Sequence, residues 1–125
     1  MGALFPQTVK ANPIVILDNT DGNVEATLCT GALAGTKVFS IMAFNTDITD
    51  NEVYVRLVNG ADSAIIAKVA IPAGTAVALL SVTETPGLSS DRSLLLGTGV
   101  KVNVNASNLP ASAATIEITC ELADY

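Results

Sequence analysis

The sequence predicts an all-β fold, an antiparallel β-sandwich of jelly-roll-like type with about eight to ten short strands and an extended N-terminal arm. Three observations predict it. Apolar and polar residues alternate with a period of two in several runs, most cleanly over residues 100–105 and 115–122. Clusters of Gly, Asn, Asp and Pro separate these runs at intervals of roughly 8–12 residues. No segment combines a 3.6-residue apolar period with helix caps. The strand count fits a jelly roll without choosing it over other sandwiches.

Taken in order, residues 1–13 carry one charge, Lys10, and two prolines, Pro6 and Pro13, and read as the extended arm. Residues 14–125 read as a single β-sandwich domain. Ile14–Leu17 is a short apolar strand, residues 18–23 form a turn around Gly22, and residues 24–30 return. A small-residue connection from Gly31 to Gly35 leads to residues 37–45. There Val38, Met42 and Phe44 fall on one side and Phe39, Ile41 and Ala43 on the other. A strand apolar on both sides is expected at the centre of a sheet, buried on both faces.

The polar turn 46–51 precedes residues 52–58, where Val53, Val55 and Leu57 alternate with Tyr54 and Arg56. Asn59-Gly60-Ala61-Asp62 is a hairpin turn. Residues 63–71 return with Ile65, Ala67, Val69 and Ile71 expected inward, and Pro72-Ala73-Gly74 ends the run. Residues 76–82 form a further strand, 84–92 the longest loop, and 93–96 a short strand. Val100, Val102 and Val104 then alternate with Lys101, Asn103 and Asn105, and a loop covers 106–113. The last strand points Ile116, Ile118, Cys120 and Leu122 inward and Glu117, Thr119 and Glu121 outward.

Half of the residues are apolar, yet the chain has only three Phe, two Tyr and no Trp. The core must therefore be aliphatic. Charged residues make up 14%, against about 25% in an ordinary globular domain, and the mean hydropathy is +0.50. So little polar surface predicts that other subunits cover part of the apolar surface. The plainer alternative is a monomer with a Ser/Thr/Asn surface.

The net charge is −6, and Lys10, Lys37, Arg56, Lys68, Arg92 and Lys101 stand singly. No row of cations could neutralise phosphates or anchor to a membrane, so neither nucleic acid nor membrane is an expected partner. Residues 69–83 are uncharged but contain Pro72 and Gly74 and are too short to span a bilayer. Residues 1–5 lack the basic start and apolar length of an export signal, so a chain made and kept soluble is expected.

The chain has no histidine, which removes Ser-His-Asp and Cys-His catalysis. Cys29 and Cys120 form no CxxC pair, and their pairing requires neighbouring strands. Asp47, Asp50 and Glu52 are the nearest approach to a glycosidase carboxylate pair, but they flank a turn and lack stacking aromatics. The Asp18–Gly22 segment fails as a calcium loop, because Gly22 is fifth rather than sixth and the twelfth residue is Cys29. The expectation is a non-enzymatic protein with no catalytic residues, metal, cofactor or small-molecule substrate.

One block carries a resemblance. Phe44-Asn45-Thr46-Asp47 is followed by alternating residues 53–58, the Asn59-Gly60 turn and a strand ending in Ile71-Pro72-Ala73-Gly74. Downstream come Leu94-Leu95-Leu96-Gly97, the alternating segment from Gly99 to Val104, and the terminal Ala123-Asp124-Tyr125. On these motifs residues 37–125 resemble the small β-sandwich proteins that decorate, or cement, the heads of tailed phages. The link Gly97-Thr98-Gly99 departs from the Leu-Pro-Ala-Gly expected there.

The resemblance implies a homotrimer, made in the host cytoplasm and placed on the virion capsid surface, that stabilises the head by bridging capsomers of the major capsid protein. The apolar arm supplies the expected partner contacts: Leu4, Phe5, Pro6, Val9 and Pro13. Alternative readings are a tail or head-fibre component, a fimbrial or cell-surface adhesion subunit, and a carbohydrate-binding module, the last disfavoured by the absence of Trp.

Overall fold

The computed structural model describes residues 8–80 and 94–125. Its strands are β1 (Thr8–Val9), β2 (Ile14–Leu17), β3 (Ala26–Thr30), β4 (Thr36–Asn45), β5 (Asn51–Asn59), β6 (Asp62–Ile71), β7 (Ala76–Leu80), β8 (Leu94–Leu96), β9 (Lys101–Ala106) and β10 (Ile116–Asp124). The described residues contain no helix.

The pairings describe one long hairpin rolled upon itself. β5 pairs with β6, β4 with β7, β3 with β9 and β2 with β10, all antiparallel. Two further antiparallel pairings, β4 with β10 and β5 with β9, close the roll into two sheets. One sheet has the order β2-β10-β4-β7 and the other β3-β9-β5-β6. This is the strand order of a jelly roll, so the expected antiparallel sandwich is the fold observed. β1 extends the line of β2 along β10, and β8 extends the line of β7 along β4.

Rolling is driven by the inward side chains, which a flat hairpin would leave half in water. Val38, Ile41, Ile116 and Ile118 of the β4 sheet and Val53, Val55, Val102 and Val104 of the β5 sheet are all fully buried. The hairpin tip turns at Gly60, whose φ of 61° is open to glycine at no steric cost. Asn59 and Asp62 pair directly across it.

β4 is central, as expected, but it is not buried on both faces. Met42 and Phe44 are 39% and 41% exposed. The second sheet covers one face only, and a β-bulge decides which side chains take the other. Glu121 pairs with Ser40 while Leu122 pairs with Val38, so Phe39 is an extra residue in β4. Thr36 and Val38 face the core before it, and Ile41, Ala43 and Asn45 face the core after it. The bulge shifts the phase of the strand, which a strict period of two cannot foresee.

β6 is corrected in the same way. Val55 pairs with Ala67 and Arg56 with Ile65, leaving Ile66 as the extra residue. Ile71 is buried and Ala67 and Val69 half-buried, but Ile65 is 51% exposed rather than inward.

The described residues of the arm lie on its own domain. Thr8 and Val9 pair with Asp124 and Ala123, the Lys10 amide donates to the Leu122 carbonyl (3.3 Å), and Lys10 Nζ stands 3.5 Å from Asp124 Oδ2. Leu4, Phe5 and Pro6, the loop at 84–92 and the neighbouring ends of the strands expected at 76–82 and 93–96 lie outside the described residues.

Candidate functional site: an apolar outer face on one sheet

The two outer faces of the sandwich differ in chemistry. On the β4 sheet, register places Ile16, Glu117, Phe44 and Ala76 in one cross-strand row and Ile14, Thr119, Met42 and Ala78 in the next. Ile14 and Ile16 are 69% and 55% exposed. With Met42, Phe44 and Ala76 they line an open depression of about 570 Å³, edged by Asn12 and Thr119. Glu117 is the one charged residue among its lining.

The outer face of the β5 sheet carries a polar ladder, with two exposed isoleucines of β6 beside it, Ile65 (51%, paired with Arg56) and Ile66 (41%). Thr27 Oγ1 donates to Asn103 Oδ1 (2.9 Å), and Asn103 Nδ2 donates to Glu25 Oε1 (3.2 Å). Arg56 Nε donates to Asn105 Oδ1 (3.2 Å) and lies 3.9 Å from Glu25 Oε2. Lys68 Nζ and Glu52 Oε2 stand 3.9 Å apart, and the Arg56 and Lys68 cations lie over the Tyr54 ring, 5.6 and 5.8 Å from its centre. These polar groups satisfy one another across strands β3, β9, β5 and β6. Around the depression on the β4 face, Glu117 and Thr119 stand between four large apolar side chains, while Ser40 and Glu121 pair farther along the same face (3.0 Å), and an apolar patch of this kind is the composition of a surface made to be covered.

Of the residues expected to touch a partner, Pro13 borders this face. It is half-buried, and its carbonyl accepts a 3.0 Å hydrogen bond from Thr119 Oγ1, within the Ile14–Met42 row. Val9 is 87% exposed beside Ala123, farther along the same edge. Ile14, Ile16, Met42 and Phe44 are not among the contacts expected from sequence. Their signal is apolarity on both sides of a strand, which reads as central burial unless the opposite sheet is known to cover one side only.

The carboxylates of the turns serve the backbone. Asp47, 5% exposed, accepts from the Ile48 amide through Oδ1 (2.7 Å) and from the Ala111 amide through Oδ2 (2.9 Å). The Ala111 amide above all holds its carboxyl below the ordinary carboxylate range. Asp18 Oδ1 accepts from the Thr20 and Asp21 amides (3.0 and 3.3 Å), with the same lowering, Thr20 foremost. Asp50 Oδ1 accepts from the Ala73 amide (2.9 Å). Asp47, Asp50 and Glu52 thus face different partners and do not converge on one point. Among the described residues no group of three or more His, Cys, Asp or Glu side chains is placed to hold a metal ion.

Fold and faces together define a jelly-roll domain with an apolar depression on the outer face of one sheet and a hydrogen-bonded polar ladder on the other. No family model, curated protein or solved structure matches the chain.

Proposed function

We propose that this chain is a non-enzymatic structural protein of a phage virion, a capsid decoration or cement protein that docks through the outer face of its β4 sheet. The observation that carries the docking face is the contrast between the Ile14–Ile16–Met42–Phe44 surface and the polar ladder opposite. The virion assignment rests on the resemblance over residues 37–125. Jelly rolls occur in viral capsid proteins, lectins and cupins alike, so the fold only permits it. A chain without histidine lacks the usual imidazole ligands of a metal-binding cupin, and a chain without Trp is poorly furnished for stacking sugars.

Attachment works by removing apolar area from water. Full burial of a large apolar side chain contributes about 1.5–3 kcal/mol. These four already stand partly covered, so each adds on the order of 1 kcal/mol. One such face offers about 4 kcal/mol before the entropic cost of association, so a single copy binds weakly at best. Three linked copies multiply its binding through effective concentration, which is the physical case for a homotrimer bridging capsomers of the major capsid protein. A protein that binds only the assembled shell stabilises that shell by mass action.

An electron-microscopy map of the assembly that carries this chain tests the proposal. Jelly-roll density on the outside of the head, β4 sheet toward the shell, is expected. The polar face toward the shell would overturn the docking face, and density confined to the tail would replace the assignment with a tail component. Mass measurement in dilute solution is expected to give a trimer; a stable monomer refutes that element.

A further inference from the structure

We propose that Cys29 and Cys120 are a redox pair that closes into a disulfide between the two sheets on exposure to a low-molecular-weight disulfide such as oxidised glutathione. The topology brings them together from a distance of most of the chain. Cys120 is an inward residue of β10, and Cys29 lies on β3, the edge strand of the opposite sheet. β2, which pairs with β10, packs close to β3, so the edge of one sheet lies over the matching edge of the other. Both thiols are free and buried in the same core cluster, and each is the largest influence on the other's titration.

The pair is built unequally. Hydrogen bonding from Cys120, with the Lys10 charge as a smaller aid, lowers the Cys29 thiol below its ordinary range, while the same contact and burial raise Cys120. Cys29, which an oxidant in solvent reaches first, is the attacking sulfur. It is the nearer to solvent, at 8% exposure against 1% for Cys120. Its strand is joined to the sheet by β9 alone and bulges at Leu28, where Thr27 pairs with Asn103 and Cys29 with Val102. An S–S bond of about 2.05 Å requires the sulfurs to approach more closely than hydrogen-bonded thiols stand. A bulged edge strand is the element that gives most readily.

The chemistry balances. The Cys29 thiolate attacks one sulfur of oxidised glutathione, forming a mixed disulfide and releasing one glutathione thiolate. Cys120, losing its proton, attacks the Cys29 sulfur and releases the second. Two protein thiols are oxidised and one glutathione disulfide is reduced to two glutathione thiols. The inference does not depend on the proposed function. That reading adds only timing, with thiols in the reducing cytoplasm and the bridge after release.

The test uses the purified full chain in glutathione buffers of rising oxidised fraction. Thiols titrated in denaturant are expected to fall from two to none per chain, the intact mass to fall by two hydrogens, and Tm to rise by on the order of 10 °C. Cys29→Ser and Cys120→Ser are each expected to end as a chain carrying one glutathione or one free thiol, without the gain in Tm. The wild-type thiol count stands even if a variant fails to fold. Two thiols persisting in excess oxidant, two glutathiones per chain, or disulfide-linked dimers would each overturn the proposal, and a bridge that lowers Tm would overturn its fit to the native sandwich.

Discussion

The side-chain amide of Asn45, at the end of β4, donates 3.1 Å to the carbonyl of Ile71, at the end of β6 in the opposite sheet. Asn45 is fully buried, and it also donates to the Thr49 carbonyl (3.0 Å) and accepts from the Asp47 amide (2.9 Å). One side chain thus ties the two sheets together and shapes the turn between β4 and β5. Asn45→Ala leaves these three main-chain groups, two of them in buried bonds, without their partner and is expected to cost about 3 kcal/mol, read as a lower urea midpoint with unchanged m-value. Asn45→Asp sets a carboxylate against two carbonyls and is expected to be worse. A loss under about 1 kcal/mol for Asn45→Ala would show that water replaces the amide.

Phe44→Ser and Met42→Ser alter the apolar outer face. Both side chains are partly exposed, so Tm is expected to change little while co-sedimentation with assembled shells is lost. Lys68→Ser, on the polar face, is the control and is expected to co-sediment as wild type. Equal binding by all three variants would remove the β4 face from the proposal.

Removing residues 1–7 separates the arm from the sheet edge, because β1 begins at Thr8. The arm's proposed role predicts weaker attachment with Tm preserved. Removing residues 1–13 also strips β1 from β10 and is expected to lower Tm. Undiminished attachment of the shorter deletion would refute the contacts assigned to Leu4, Phe5 and Pro6.

Asp47 makes stability fall in acid. Its folded carboxyl is held below its unfolded value of about 3.9. Its contribution is therefore full above the unfolded value, is lost as pH falls through the lower folded value, and is absent below both. Asp18 acts with the same sign. Melting curves from pH 7 to pH 2 are expected to show Asp47→Asn less stable at neutral pH, with the gap to wild type closing in acid. Parallel curves would exclude the assignment.

Two glycines are needed for different reasons. A Cβ on Gly31 would stand 1.9 Å from the Gly97 carbonyl oxygen, where Gly31 also donates to Val100 (2.8 Å) and accepts from Gly99 (3.0 Å). Gly31→Ala must push these backbones away from each other and is expected to cost about 3 kcal/mol. Gly60 has open space around it but a φ of +61°, so Gly60→Ala carries only the left-handed penalty of about 1–2 kcal/mol. Chemical denaturation of both variants checks the order; a Gly60→Ala loss equal to that of Gly31→Ala would contradict it.

By itself the sequence determined the strands, because alternation and turn chemistry are local. The inward set of β10 (Ile116, Ile118, Cys120 and Leu122) and the Asn59–Asp62 hairpin follow from neighbours a few residues apart. The absence of histidine likewise settled which catalytic apparatus the chain cannot build. Tertiary structure alone decided which side of a two-sided strand meets the core. The bulges at Phe39 and Ile66 are defined by a partner strand, so no local pattern could place Met42, Phe44 or Ile65 in solvent. It also decided that Cys29 meets Cys120 and that Asn45 reaches Ile71. Such contacts arise only when the long hairpin rolls up, and their cause is burial of the aliphatic face as a whole rather than any preference of the residues that touch.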